Sequence, residues 1–217
     1  MSILKNVLGC VAFGLLLMPV CAEAGPLTIV NVSEHAVDCV FNPTCTITAT
    51  PFASTITMPG VSGTARLHSP TYLGATGAPA TGKTGYAYRV DLTQAKSTAL
   101  GSVNCVSKLI LDFGPDTKLV YGPTVVTHTP ILADVFVITT GGPGSIGLSS
   151  AVQSGNFITF TFSTPICPGI PTAAALIPGK SSFLFGLAAA TALEPSMAQV
   201  VFNSGGSTTT ATRVPIH

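Results

Sequence analysis

The residues predict an all-β chain, an antiparallel β-sandwich of jelly-roll or Ig-like type with little helix, and three observations carry that prediction. Apolar and polar side chains alternate with a period of two in several segments, turn clusters rich in Gly, Pro, Asn and Ser separate those segments, and only one stretch suggests a helix. Period-two alternation gives a strand with one dry and one wet face, as in an antiparallel sheet packed on one side. A sandwich is favoured over a barrel because no uniform hairpin repeat is present.

Taken along the chain, Leu27 to Val32, Thr44 to Thr50 and Thr64 to Tyr72 read as strands. Tyr86, Tyr88, Val90 and Leu92 then alternate with Ala87, Arg89 and Asp91. Leu109, Leu111 and Phe113 alternate with Lys108 and Asp112, Ile110 being the exception, and Ile158, Phe160 and Phe162 alternate with Thr159 and Thr161. Asp134 to Thr139, Ile146 to Val152, Ser181 to Leu187, Ala198 to Phe202 and Thr208 to Val214 complete the strand series. Gly141-Gly-Pro-Gly144, Ser154-Gly155-Asn156 and Asn203-Ser-Gly-Gly206 supply turns. The helical exception is the Ala-rich stretch from Gly186 to Leu193, followed by Glu194-Pro195. Two long loops, Gly74 to Gly85 and Pro165 to Pro178, are the natural carriers of binding residues on such a scaffold.

The first 24 residues have the order of a secretory signal peptide: Lys5, an apolar stretch from Val7 to Val20, and the small-residue site Ala22-Glu23-Ala24, with cleavage expected before Gly25. The apolar stretch is shorter than the roughly 20 residues a spanning helix needs. Residues 25–217 then form one domain, in a bacterial secreted or periplasmic setting, without a lipid anchor. Cys10 and Cys21 leave with the signal, and Cys39, Cys45, Cys105 and Cys167 remain. An even number in an exported chain predicts two disulfides. Asn42-Pro43 makes a turn between the first two cysteines, so a local hairpin bridge Cys39 to Cys45 is expected, with Cys105 and Cys167 tying distant strands.

Charged residues make up 8% of the chain, with a formal net charge of +1, against about 25% charged residues in an average soluble domain. Binding to nucleic acid or to an anionic membrane surface calls for clustered Lys and Arg, which the chain lacks. A hydroxyl-rich, weakly charged surface instead lowers the barrier to self-association or to contact with an envelope polymer. The edge strand Thr208 to Val214 is a candidate seam.

Several motifs invite chemistry. Gly77-Ala-Pro-Ala-Thr-Gly82-Lys83-Thr84 matches the phosphate-binding loop letter for letter, but that chemistry needs a helix at the Lys-Thr end, and here an alternating strand follows. No nucleotide is therefore expected. Asp112-Phe-Gly-Pro-Asp116 puts two carboxylates around a turn, and Asp134 from a neighbouring strand offers a third, a sparse set of hard oxygens for calcium against the plainer reading of a wet strand face and a turn. No other cofactor is suggested. His35 with Glu34 and Asp38 is the densest ionisable cluster and reads as a solvated loop. A hydrolase would have to assemble His68 or His128 with Asp91 or Asp134 and a distant serine, since no nucleophile elbow is present. The chain has no Trp for a sugar platform. Tyr86 and Tyr88 lie on an apolar strand face, leaving Tyr72 and Tyr121, beside loops, as surface candidates.

Tyr86-Ala-Tyr-Arg-Val-Asp-Leu92, Cys105 through Gly114, Asp134 through Gly142, Asn156 through Phe162 and Ser181 through Gly186 resemble segments of exported bacterial β-sandwich proteins without an assigned activity. Some of those carry a C-terminal Pro-Glu-Pro sorting tail, where this chain ends in Arg213-Val-Pro-Ile-His217. The resemblance implies fold and export and transfers no site residue. The resulting expectation is a non-catalytic structural or binding protein of the cell exterior, self-associating, with a monomeric glycan- or ligand-binding module as the alternative and a secreted hydrolase behind both.

Overall fold

The computed structural model describes residues 24–98, 103–122, 129–171 and 176–217. The expected signal segment and His128 lie outside them. Two sheets face each other. The first has six antiparallel strands in the order β1 (Gly25–Pro26), β11 (Leu148–Ser154), β12 (Phe157–Ile166), β7 (Val106–Asp112), β16 (Leu193–Phe202) and β17 (Ser207–Pro215). The second runs β2 (Ile29–Ser33), β10 (Val135–Thr140), β15 (Leu184–Ala189), β6 (Thr84–Ser97), β4 (Val61–His68) and β3 (Ala53–Thr55), with β5 (Thr71–Leu73) also on β6. Only β2 and β10 pair in parallel within it. Two short ladders, β8 (Leu119–Tyr121) with β9 (Ile131–Ala133) and β13 (Ile170–Pro171) with β14 (Leu176–Ile177), and one helix, α1 (Glu34–Phe41), complete the fold. The all-β sandwich is thus the architecture. No helix among the described residues is long and apolar enough to cross a membrane.

The main core lies between the sheets. Leu109 and Leu111 of β7 and Ile158, Phe160 and Phe162 of β12 meet Tyr86, Tyr88, Val90, Phe185 and Leu187 of the second sheet. A second core covers that sheet's other face, where Val37, Val40 and Phe41 of α1, together with Leu119, Tyr121 and Ala133 of the β8–β9 ladder, pack on Val30, Ala87, Phe136 and Ile138. Strands β10 and β15 are therefore dry on both faces, which explains why Val135-Phe-Val-Ile138 and Leu184-Phe-Gly-Leu-Ala-Ala189 show no alternation. The first sheet keeps one wet face, and there the alternation is regular.

Three local expectations are corrected. Gly186 to Leu193 is not helical: it is the end of β15, a turn and the start of β16, and its alanines are small because Ala188 and Ala189 are buried between close layers. The helix lies instead at Glu34–Phe41, where Ser33 Oγ accepts from the Ala36 amide at 3.2 Å as an N-cap. Ala36, Val37, Val40 and Phe41 form its buried stripe, so the His35 cluster sits on a helix and not in a loop. Thr44 to Thr50 makes only a single bridge, Thr50 to Thr71, because Cys45 takes a left-handed φ of 54° and the segment is drawn back to α1.

Both disulfides pair as expected, Cys39 with Cys45 and Cys105 with Cys167. The first, however, joins the last turn of α1 to the loop after it rather than closing a β-hairpin. The second joins the residue preceding β7 to the residue following β12.

Candidate functional site

At one end of the second sheet a pocket of 520 Å³ opens between β5, the loop after α1, the start of β6 and the turn between β15 and β16. Four threonines, Thr48, Thr50, Thr71 and Thr84, line it together with Asn42, Tyr72, Leu73, Ala192 and Leu193. Leu73 is 71% exposed and Leu193 41%. They are large, exposed apolar side chains in a wall that is otherwise rich in threonine.

Each wall is held from beneath. Arg213 Nη1 donates to the Thr50 carbonyl at 3.1 Å and to Thr71 Oγ1 at 3.3 Å, with its guanidinium 4.9 Å from the centre of the Phe52 ring. Tyr86 Oη donates to the Thr191 carbonyl at 3.2 Å, and the Ile216 amide donates to the Ala192 carbonyl at 2.9 Å, fixing the turn that presents Leu193. Asn42 Nδ2 donates to the Thr46 carbonyl at 2.8 Å and its Oδ1 accepts from the Thr44 amide at 3.0 Å. The Cys39–Cys45 bridge spans the same loop. Tyr72 stacks edge-on against Phe41 with its ring over Gly85, its direct cross-strand partner, where a Cβ would strike the ring. A threonine-lined wall with exposed leucines suits a ligand with polar groups on one edge and C–H surface on the other.

The Gly74 to Gly85 loop borders this pocket through Leu73 and Thr84 but does not form it. Its amides at Ala75 and Ala80 donate to the Phe41 and Val40 carbonyls at 2.8 and 2.9 Å, so it caps the end of α1. After Lys83 the chain enters β6 at Thr84, with no helix at the Lys-Thr end.

The three carboxylates considered for calcium do not gather. Asp112 faces His217, whose Nε2 is 3.0 Å from its Oδ1. Asp116 and Asp134 do meet. Asp134 is 1% exposed, and its Oδ2 accepts from the Thr28 amide at 2.7 Å and lies 3.3 Å from Lys118 Nζ. Its own amide donates to the Thr28 carbonyl, so this side chain also fixes the entry to β2 and β10. Burial first, and then the neighbouring Asp134 charge, hold the Asp116 carboxyl up at about 6. As a carboxylate, Asp116 Oδ2 is buried without a donor among the described residues, whereas as an acid it bonds to Asp134.

Tyr72 and Tyr121, expected at the surface, are buried at 5% and 0% exposure, and neither hydroxyl has a hydrogen-bond partner among the described residues. The cover supplied by α1 and the β8–β9 ladder buries them, and nothing in their local sequence signals it. Burial pushes both phenols up, Tyr72 also feeling Tyr121 and Asp38, and Tyr121 feeling Asp116 and Asp134.

His68 and Asp91 do come within 3.7 Å, but Arg89 occupies both, donating from Nη2 to Asp91 Oδ2 at 2.8 Å and to His68 Nε2 at 3.3 Å. Burial and then the Arg89 charge lower the His68 pKa. His35 Nε2 lies 3.6 Å from Cys39 Sγ. Together with Cys45 these are the only three metal-ligating side chains clustered within 4.8 Å among the described residues, and the disulfide engages both sulfurs.

Compared with known protein families, with curated proteins and with solved structures, the chain matches none of them. The functional reading therefore stands on the pocket itself. The threonine-rich wall was hidden in the sequence because its members come from three separate segments, and only the long loop between Leu73 and Thr84 pointed toward it.

Proposed function

We propose that the chain is an exported, non-catalytic β-sandwich protein that binds a polyhydroxylated ligand, such as a short stretch of envelope glycan, in the threonine-lined pocket. One observation carries this reading: four threonines from separate strand and loop positions line the pocket together with the exposed Leu73 and Leu193 on a rigid sheet end. Aliphatic side chains supply the apolar contact that an aromatic platform gives elsewhere. Two disulfides support an oxidising compartment, and the signal-like N-terminus supports export.

The test is a glycan panel read by isothermal titration, with Leu73→Asp and Leu193→Asp as variants. Both side chains are exposed, so the thermal midpoint should move little while binding weakens about tenfold or more, the equivalent of losing roughly 1.4 kcal/mol of contact. Binding unchanged in both variants, or absent across the panel, overturns the reading.

Self-association is a second reading, and the observation favouring it is the uncovered face of the first sheet, where Phe157 and Met197 are more than half exposed. The β17 edge is a weaker seam than its sequence suggests. The Arg213 carbonyl accepts from Tyr88 Oη at 2.8 Å, and Thr210 Oγ1 donates to the Thr55 carbonyl at 2.9 Å, so this edge is tied to the second sheet. Light scattering separates the readings, since face-to-face assembly gives a mass that falls on Phe157→Lys with Met197→Lys and leaves glycan binding intact.

A further inference from the structure

Three side chains that ligate soft metals meet along α1. His35 and Cys39 stand four residues apart on the helix and so share a face, and the loop after the helix brings Cys45 back beside them. His35 Nε2 lies 3.6 Å from Cys39 Sγ, and the ligating atoms of all three residues fall within 4.8 Å of one another. Zinc bonds of about 2.0–2.1 Å to imidazole and about 2.3 Å to thiolate put the nitrogen and sulfur corners of a tetrahedron roughly 3.6 Å apart. The imidazole nitrogen therefore already stands at ligand spacing from the first sulfur.

We infer that reduction of the Cys39–Cys45 bridge turns these two cysteines and His35 into a zinc site. Two features make this the bridge that a reductant opens. Both of its cysteines are half-buried, whereas Cys105 of the other bridge is only 4% exposed. Cys45 is also the one non-glycine residue among the described residues with a left-handed φ, at 54°, a costly backbone state that opening the bridge frees. Exposed and strained disulfides are the exchangeable ones. A dithiol reductant supplies the two electrons. One of its thiolates bonds to a bridge sulfur while the other bridge sulfur leaves as a thiolate, and its second thiolate then closes the reductant's own disulfide and releases the first cysteine. Zinc takes both sulfurs as thiolates, displacing their two protons, and the His35 imidazole through Nε2. His35 is exposed, so water reaches the fourth corner. Glu34 and Asp38 lie on the same helix, which carries no Lys or Arg, so the local charge favours a cation. The loop that carries Asn42 is tied to α1 in either state, by a covalent bond or by the metal. This site does not depend on the ligand of the threonine-lined pocket.

Zinc titration of the protein before and after treatment with a resin-bound dithiol, filtered off under argon, tests the inference. The reduced protein should take up one zinc per chain and the bridged protein none, and cobalt(II) in place of zinc should give the visible absorption of tetrahedral thiolate ligation. Zinc should protect Cys39 and Cys45 from alkylation, read by peptide mass spectrometry, while Cys105 and Cys167 stay bridged. His35→Ala, at an exposed position, should leave the thermal midpoint nearly unchanged and weaken zinc binding about tenfold or more, since even the loss of a group that only orients a ligand costs that much. A Cys39–Cys45 bridge that the dithiol leaves intact in the folded chain, equal zinc uptake before and after reduction, or an affinity unmoved by His35→Ala overturns the site.

Discussion

His217 stands with Nε2 3.0 Å from Asp112 Oδ1 and Nδ1 3.2 Å from the Pro215 carbonyl. Both neighbours are acceptors, so the ring is best satisfied carrying two protons. Its pKa is raised above 6.5, first by the Pro215 carbonyl and then by Asp112. A raised histidine adds stability that is complete below pH 6.5 and is lost as pH climbs through the folded-state value. The unfolding midpoint should therefore fall as pH climbs above 6.5, and His217→Ala should flatten that slope. Salt should shrink the effect, since the pair is open to solvent. Gly85 makes a different demand: the ring of Tyr72 lies where its Cβ would be, with Phe41 close behind. Gly85→Ala should cost about 1–3 kcal/mol through overpacking, read as a lower midpoint in urea at constant m-value.

At the level of strands and helix, legibility followed the number of wet faces. β7 and β12 are wet on one side, so Leu109 and Leu111, or Ile158, Phe160 and Phe162, stand out from their neighbours in the sequence. β15 is dry on both sides, so its apolar run lost its period and its alanines looked helical. α1 was legible in principle from Ser33, Glu34 and the stripe Ala36, Val37, Val40 and Phe41, but eight residues give too little periodicity to outweigh polar neighbours such as His35 and Asp38. The pocket was less legible still, because Thr48, Thr50, Thr71 and Thr84 share no spacing until β5 is laid on β6. Asp116 and Asp134 were legible as acids. Asp112, expected beside them, is instead drawn to His217 by the C-terminal strand.

Across the whole molecule the two disulfides differ in reach, closing separations of 62 residues for Cys105–Cys167 and 6 for Cys39–Cys45. Loop-closure entropy then predicts that replacing the long-range pair by serines costs about 4 kcal/mol and the short-range pair about 2 kcal/mol, measurable by denaturant unfolding of the two double variants. The short bridge has the nearer functional consequence, because its loop carries Asn42 and leads to Thr48 and Thr50 at the pocket.

The pairing of the first strands governs how the chain must mature. Gly25 finds Gln153 and Val30 finds Phe136, so the N-terminal strands have no partner until most of the polypeptide has been made. Such non-local topology is slow to close. The complete sandwich can therefore close only once the last third of the chain, which supplies β11, β12, β15, β16 and β17, is available.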